Sequence, residues 1–123
     1  MPRTPIVLFR EDDGSIPLLG WLDDLPDKAR NKCVARLRRL NELGHELRRP
    51  EADLLRDGIY ELRVGLSGLN YRMLYFFHGH RAAVLSHGLV KERRVPPIEI
   101  DRAVLRMRRF QSNPVKHTAE IPL

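Results

Sequence analysis

Residues Leu54 to Phe77 constrain the fold more than any other part of the chain, because they read as two strands meeting at one tight turn. In Gly58-Ile59-Tyr60-Glu61-Leu62-Arg63-Val64, β-branched and aromatic residues alternate with polar ones, the period-2 signature of a strand with one buried face. Gly65-Leu66-Ser67-Gly68 supplies the turn glycines, and Asn70 to Phe77 is then almost continuously apolar, as expected of a central strand covered on both faces. Arg72 is the one charge in that run, and a cation on a central strand is costly unless it reaches an anion or water. Pairing of the two strands brings Arg63 and Arg72 together as a candidate phosphate site.

The rest of the chain supplies elements to pack on this hairpin. Pro5 to Phe9 reads as a short strand ending in a turn at Arg10 to Ser15. Ser15 suits an N-cap and Pro17 the first turn of a short helix to Leu25, with Leu18, Leu19, Leu22 and Leu25 as its buried stripe and Trp21 at the edge. Pro26 ends that helix, and a longer one runs from Asp27 to Leu43 with Gly44 as its stop. His45 to Asp53 reads as a loop leading into the hairpin, and His78-Gly79-His80 as a second tight turn. Ala82 to Val90 forms another strand, and Lys91-Glu92-Arg93-Arg94-Val95 a basic loop that stops at Pro96-Pro97. A C-terminal helix starts there, with Ile100, Ala103, Val104, Met107 and Phe110 as its apolar stripe.

That order (strand, two helices, three strands, helix) predicts an α+β domain with helices packed on one face of a largely antiparallel sheet. A length of 123 residues suits one domain, residues 1–111, followed by a flexible tail over 112–123 that carries two prolines. The single cysteine, Cys33, excludes an internal disulfide framework and any multi-cysteine metal site. No run approaches membrane-spanning length, and Met1-Pro2-Arg3-Thr4-Pro5 lacks a signal-peptide hydrophobic region, so a soluble, cytoplasmic protein is expected.

Charge is distributed unevenly. Residues 1–53 carry ten Lys/Arg and ten Asp/Glu, whereas residues 54–123 carry twelve against six, so the whole net charge of +6 lies in the half that begins with the hairpin. Arginine dominates there, and its planar fork suits bidentate phosphate contacts. Such asymmetry points to nucleic acid or to an acidic protein partner.

Several segments in register carry a resemblance: Leu54, Arg56-Asp57-Gly58-Ile59-Tyr60-Glu61-Leu62-Arg63, then Tyr71-Arg72, then His87-Gly88-Leu89-Val90-Lys91, then Pro97 with Glu99-Ile100 and Ala103. With the two N-terminal helices ending at Gly44, they resemble the HigB-like branch of the RelE/ParE toxin superfamily over about residues 5–110. The resemblance implies a compact RelE-like fold and the toxin of a type II toxin–antitoxin pair. It also implies an endoribonuclease that cuts messenger RNA in the ribosomal A site, without a cofactor or metal. A small helix-turn-helix antitoxin would be its partner in a hetero-oligomer. Leu89 stands where such toxins usually carry Phe and Glu92 where they carry a second lysine, and no tyrosine follows Tyr75 although many relatives use a C-terminal Tyr or His.

Metal-independent RNA cleavage needs a base for the 2′-hydroxyl, cations for the charge growing on the phosphoryl oxygens, and an acid for the leaving 5′-oxygen. Arg63 and Arg72 suit the second role; the alternative is that Arg63 pairs with Glu61 or Asp57 and Arg72 caps a buried carbonyl. Lys91, delivered by the end of a strand, suits acid or base work if it is desolvated beside the arginines, and is otherwise a solvated loop lysine. Arg93 and Arg94 suit flanking phosphates, or form a solvated charge run. His87 has a base's intrinsic pKa, yet alternation places it with Leu85 and Leu89 as a core histidine. Tyr60 and Tyr71 suit base stacking or core building. His78 and His80 read as surface residues, and Cys33 as an inert member of a helix stripe. Two functional classes remain: the ribosome-dependent endonuclease, and a non-enzymatic inhibitor that binds DNA gyrase like the ParE branch, or a degenerate RNA-binding relative.

Overall fold

The computed structural model describes residues 3–91 and 93–121. Strand β1 (Ile6–Phe9) is followed by helices α1 (Pro17–Asp23) and α2 (Asp27–Leu43), then a 3-10 turn at Gly44–Glu46. Strands β2 (Ala52–Arg56), β3 (Ile59–Leu66), β4 (Leu69–His78) and β5 (Ala82–Val90) come next, then helix α3 (Pro97–Ser112) and a short strand β6 (Thr118–Ala119). All six strands form one sheet in the order β2-β3-β4-β5-β1-β6. It is antiparallel except where β1 lies parallel to β5.

Local chemistry sets the hairpins. Between the paired residues Leu66 and Leu69, Ser67 and Gly68 have φ of 52° and 79°, the two positive values of a turn whose twist matches its strands. Asp57 and Gly58, at 53° and 82°, do the same between β2 and β3. That second turn adds β2 to the sheet, where the sequence reading ran a loop to Asp53.

Both faces of the sheet are covered. Ile6 and Leu8 of β1 and Met73 and Tyr75 of β4 pack with Leu18 and Leu22 of α1 and Cys33 and Leu37 of α2. Their neighbours Val7, Phe9, Leu74 and Phe76 point the other way, onto Ile100, Ala103 and Phe110 of α3. The helices therefore divide between the faces instead of sharing one: two helices already cover the first, and the apolar stripe of α3 finds its burial on the second. Cover on both faces is also why β4 is so continuously apolar.

Two further departures matter for the site. Leu74 lies opposite His87 while Tyr75 lies opposite Leu85, so Ser86 is an extra residue in β5. One inserted residue reverses every later side chain, so His87 and Leu89 face α3 while Leu85 stays with α2. In the described part of the tail, β6 pairs with β1, and the buried ring of His117 stacks on Phe9 at 4.9 Å and 8°. Its Nδ1 lies 2.7 Å from the Arg10 carbonyl oxygen. Without this segment β1, four apolar residues long, would present an open edge.

Candidate functional site

The α3-facing side of β3 and β4 carries the strongest concentration of buried charge. Residues 61 and 63 share a face by alternation, and Arg63 lies directly opposite Arg72 in the ladder. Glu61, fully buried, lies between the two arginines. Arg72 donates from Nη1 to both Glu61 oxygens, at 2.8 and 3.1 Å, and Arg63 donates to the same carboxylate from Nε. Arg63 Nη2 also reaches Asp53 at 3.3 Å, and Arg49 pairs with Asp53 at 2.9 Å. The Asp53 carboxyl is held below its usual range, chiefly by the Arg49 hydrogen bond. From α2, Arg36 donates 2.5 Å to the Arg63 carbonyl and fixes that strand position.

Exposure separates the two arginines. The Arg72 side chain is 11% accessible and its Nε is buried without a hydrogen-bond partner, whereas Arg63 is 39% accessible. Like charges opposed across strands repel, and the buried carboxylate between them offsets that repulsion. Counting Asp53 and Arg49, three arginines meet two carboxylates, so the cluster keeps one positive charge, and its solvent-accessible guanidiniums are those of Arg63 and Arg49.

Lys91 follows the end of β5 and donates its backbone N–H to the Asn70 carbonyl at 3.0 Å. Leu89 pairs with Arg72, which sets Lys91 two residues beyond the arginine ladder. Its side chain is exposed, which matches the solvated alternative and not the desolvated one. Arg93 and Arg94 are exposed too, and neither makes an ion pair with a described residue. Glu92, the anion in this loop, lies outside the described residues.

His87 belongs to a second buried network. Arg106 Nη1 donates to Ser86 Oγ at 3.3 Å, which leaves the hydroxyl hydrogen for His87 Nδ1 at 2.7 Å. His87 Nε2–H then donates to Glu99 at 3.0 Å, a tautomer assigned from these partners. Burial, reinforced by the Arg106 charge and opposed by Glu99, pushes the imidazole down to about 4. Both ring nitrogens are engaged and the ring is neutral at pH 7, so it is a satisfied core histidine. Tyr60 and Tyr71 lie on the opposite face from the arginines. Tyr71 is buried with an edge contact to Trp21, and Tyr60 stacks on Tyr75 at 5.3 Å.

The structure thus brings Arg63 and Arg72 together and sets Lys91 beyond them, but it does not join His87, Tyr60 or Tyr71 to that pair. Among the described residues, no three His, Cys, Asp or Glu side chains converge as a metal site, and no helix is long and apolar enough to cross a membrane. A protein-family model, phage-derived protein Gp49-like (DUF891), matches residues 20–108. The chain belongs to the Gp49-like family. That family is RelE-like and associated with toxin–antitoxin systems. The Gp49-like region runs from α1 into α3, so it contains Glu61, Arg63, Arg72, His87 and Lys91 and leaves β1 and β6 outside. No curated protein matches the chain.

From the sequence, Glu61 is one alternative partner for Arg63, while Asp53 and Arg49 fall in a segment that reads as a loop. Period-2 spacing was the available signal for Glu61, since it puts residues 61 and 63 on one face. Asp53 required β2, which the Asp57-Gly58 turn announces. His117, the one histidine after residue 87, is buried beside β1 at the far edge of the sheet from β3.

Proposed function

We propose that this Gp49-like chain is the toxin of a type II toxin–antitoxin pair and cuts messenger RNA on the ribosome without a metal ion. The observation that carries the reading is the cross-strand pair Arg63 and Arg72, held by the buried Glu61 with the Arg63 fork at the surface. In the proposed step the 2′-oxygen attacks phosphorus, the bond to the 5′-oxygen breaks, and a cyclic phosphate and a 5′-hydroxyl result. Arg63 faces the charge that develops on the non-bridging oxygens, and Arg72 orients it through Glu61. The exposed Lys91 ammonium protonates the leaving 5′-oxygen, the 2′-hydroxyl proton passes to water, and Arg93 and Arg94 hold flanking phosphates. A cognate helix-turn-helix antitoxin is the proposed protein partner.

One observation favours a second reading. Glu61 neutralises half of the arginine charge and Lys91 is solvated, an arrangement that also suits a non-enzymatic inhibitor of the gyrase-binding kind. Primer extension on a defined message in a translation reaction separates the two. Cuts at A-site codons that require ribosomes are the expected result. Translation that proceeds uncut while DNA supercoiling is blocked would replace the endonuclease with the gyrase inhibitor.

A further inference from the structure

A groove of about 520 Å³ opens at the outer edge of the sheet, between residues 45–49 and strands β2 and β3. We infer that it is a nucleotide subsite, which takes the base beside the scissile phosphate against Tyr60 and that nucleotide's phosphate on Arg48. The inference rests on the RNA-cleaving reading above and gives that reading a determinant of sequence preference.

Three features argue for this occupant. The volume lies within the range of small-ligand clefts, and Tyr60 and the 53% exposed Leu54 supply apolar wall. The aromatic side chains are immobilised before any ligand arrives. Tyr60 stacks on Tyr75 at 5.3 Å and 22° and meets the edge of Phe77 at 5.2 Å, while His45, on the rim, stacks on the same Phe77 at 3.6 Å. A ring already pinned loses little freedom when a base stacks on it, and base–aromatic stacking is a sequence-tolerant source of affinity.

Charge supplies the second half of the recognition. Arg48 lines the groove, is exposed and has no ion-pair partner among the described residues. Arg49, beside it, is tied to Asp53 at 2.9 Å. A free guanidinium next to an aromatic wall fits an anion carried by a planar heterocycle, and the Asp53 carboxylate offers an acceptor to a base amino group. Asp53 also reaches Arg63 at 3.3 Å, so the groove adjoins the proposed cleavage site around the β2 edge. The RNA strand would then pass over the β2 edge, from the Tyr60 face to the Arg63 face, with Asp53 at the crossing.

Titration of isotope-labelled protein with each of the four nucleoside 5′-monophosphates, followed by NMR, tests the subsite without requiring cleavage. The expected result is saturable shifts of the Tyr60 and His45 ring signals that differ among the bases. Binding should weaken at least fivefold in Arg48→Ala, an exposed substitution that leaves the core intact, and persist in Tyr60→Phe. Equal binding of inorganic phosphate, or groove signals that respond only to an extended peptide added along β2, would overturn it. The cleavage assay keeps the two proposals apart. RNA cutting whose rate and base preference are unchanged in Arg48→Ala removes the subsite and leaves the endonuclease. Base-selective groove binding by a protein that cuts nothing removes the endonuclease and leaves the subsite.

Discussion

Arg63 and Arg72 stand opposite each other in the β3–β4 ladder, and Glu61 accepts a hydrogen bond from each. The arrangement is asymmetric, because Arg72 is 11% accessible and Arg63 is 39% accessible. A buried carboxylate with two guanidiniums is worth little net stability over an apolar core, but removing one member leaves uncompensated buried charge. Glu61→Gln keeps the shape and deletes the charge, so it should cost roughly 3 kcal/mol. Urea denaturation followed by circular dichroism reads this directly, and an unchanged midpoint would show that the carboxylate does not hold the pair.

The buried His87 makes stability depend on pH. Its folded pKa, near 4, lies below the ordinary 6.5, so the unfolded chain takes up a proton that the folded one refuses. Stability present above pH 6.5 is therefore lost as pH falls towards 4, by on the order of 3 kcal/mol in total. Carboxylates such as Glu51 and Asp53, whose pKa values are lowered by Arg39 and Arg49, lose their contribution as pH falls through the ordinary carboxylate range, from about pH 5 down. Thermal melts across this window should slope in the wild type and flatten between about pH 6.5 and 5 in His87→Gln. A slope that persists in the variant would assign it to another group.

Gly88 lies under the indole of Trp21, and a Cβ there would come within 2.2 Å of the ring. The half-buried indole must therefore be displaced, so Gly88→Ala should cost about 1–3 kcal/mol, the usual penalty of overpacking. Trp21 is the single tryptophan of the chain, so its fluorescence reports the displacement without interference. Wild-type emission and stability in the variant would contradict the contact.

The segment after Ser112 closes the β1 edge, with the His117 ring on Phe9. A chain ending at residue 112 should unfold at lower urea concentration and associate at its exposed β1 edge. Hydrogen exchange and light scattering check the two parts. Equal protection of the β1 amides in full-length and shortened chains would return this segment to the status of a tail.

The elements that could be read in advance are those whose signals are local. Gly44 ends α2 and Pro97 starts α3 at the positions their backbone chemistry requires, and alternation or apolar continuity outlined β3, β4 and β5. The proximity of Arg63 and Arg72 was legible too, because a two-residue turn at Ser67-Gly68 fixes which residues face each other. What escaped depends on partners distant in sequence. β2 mixes exposed and buried positions and is recognisable mainly through its turn to β3, while β6 has two residues and exists because β1 needs an edge partner. The bulge at Ser86 carries no compositional mark, yet it turns His87 from the α2 side to the α3 side and into its contact with Glu99. The burial of Glu61 involves Arg72 from the neighbouring strand as well as Arg63, a partner that no spacing along β3 reveals.

In the proposed mechanism the Arg63 guanidinium, aligned by Glu61 and Arg72, meets the phosphate that is cut. Single-turnover cleavage of a defined message in a ribosome-containing reaction tests it most directly, comparing wild type with Arg63→Ala after circular dichroism has shown the variant to be folded. The cleavage rate should fall by about 10²–10³, the usual cost of removing one charge-stabilising donor. A folded Arg63→Ala protein that cuts at the wild-type rate would contradict it.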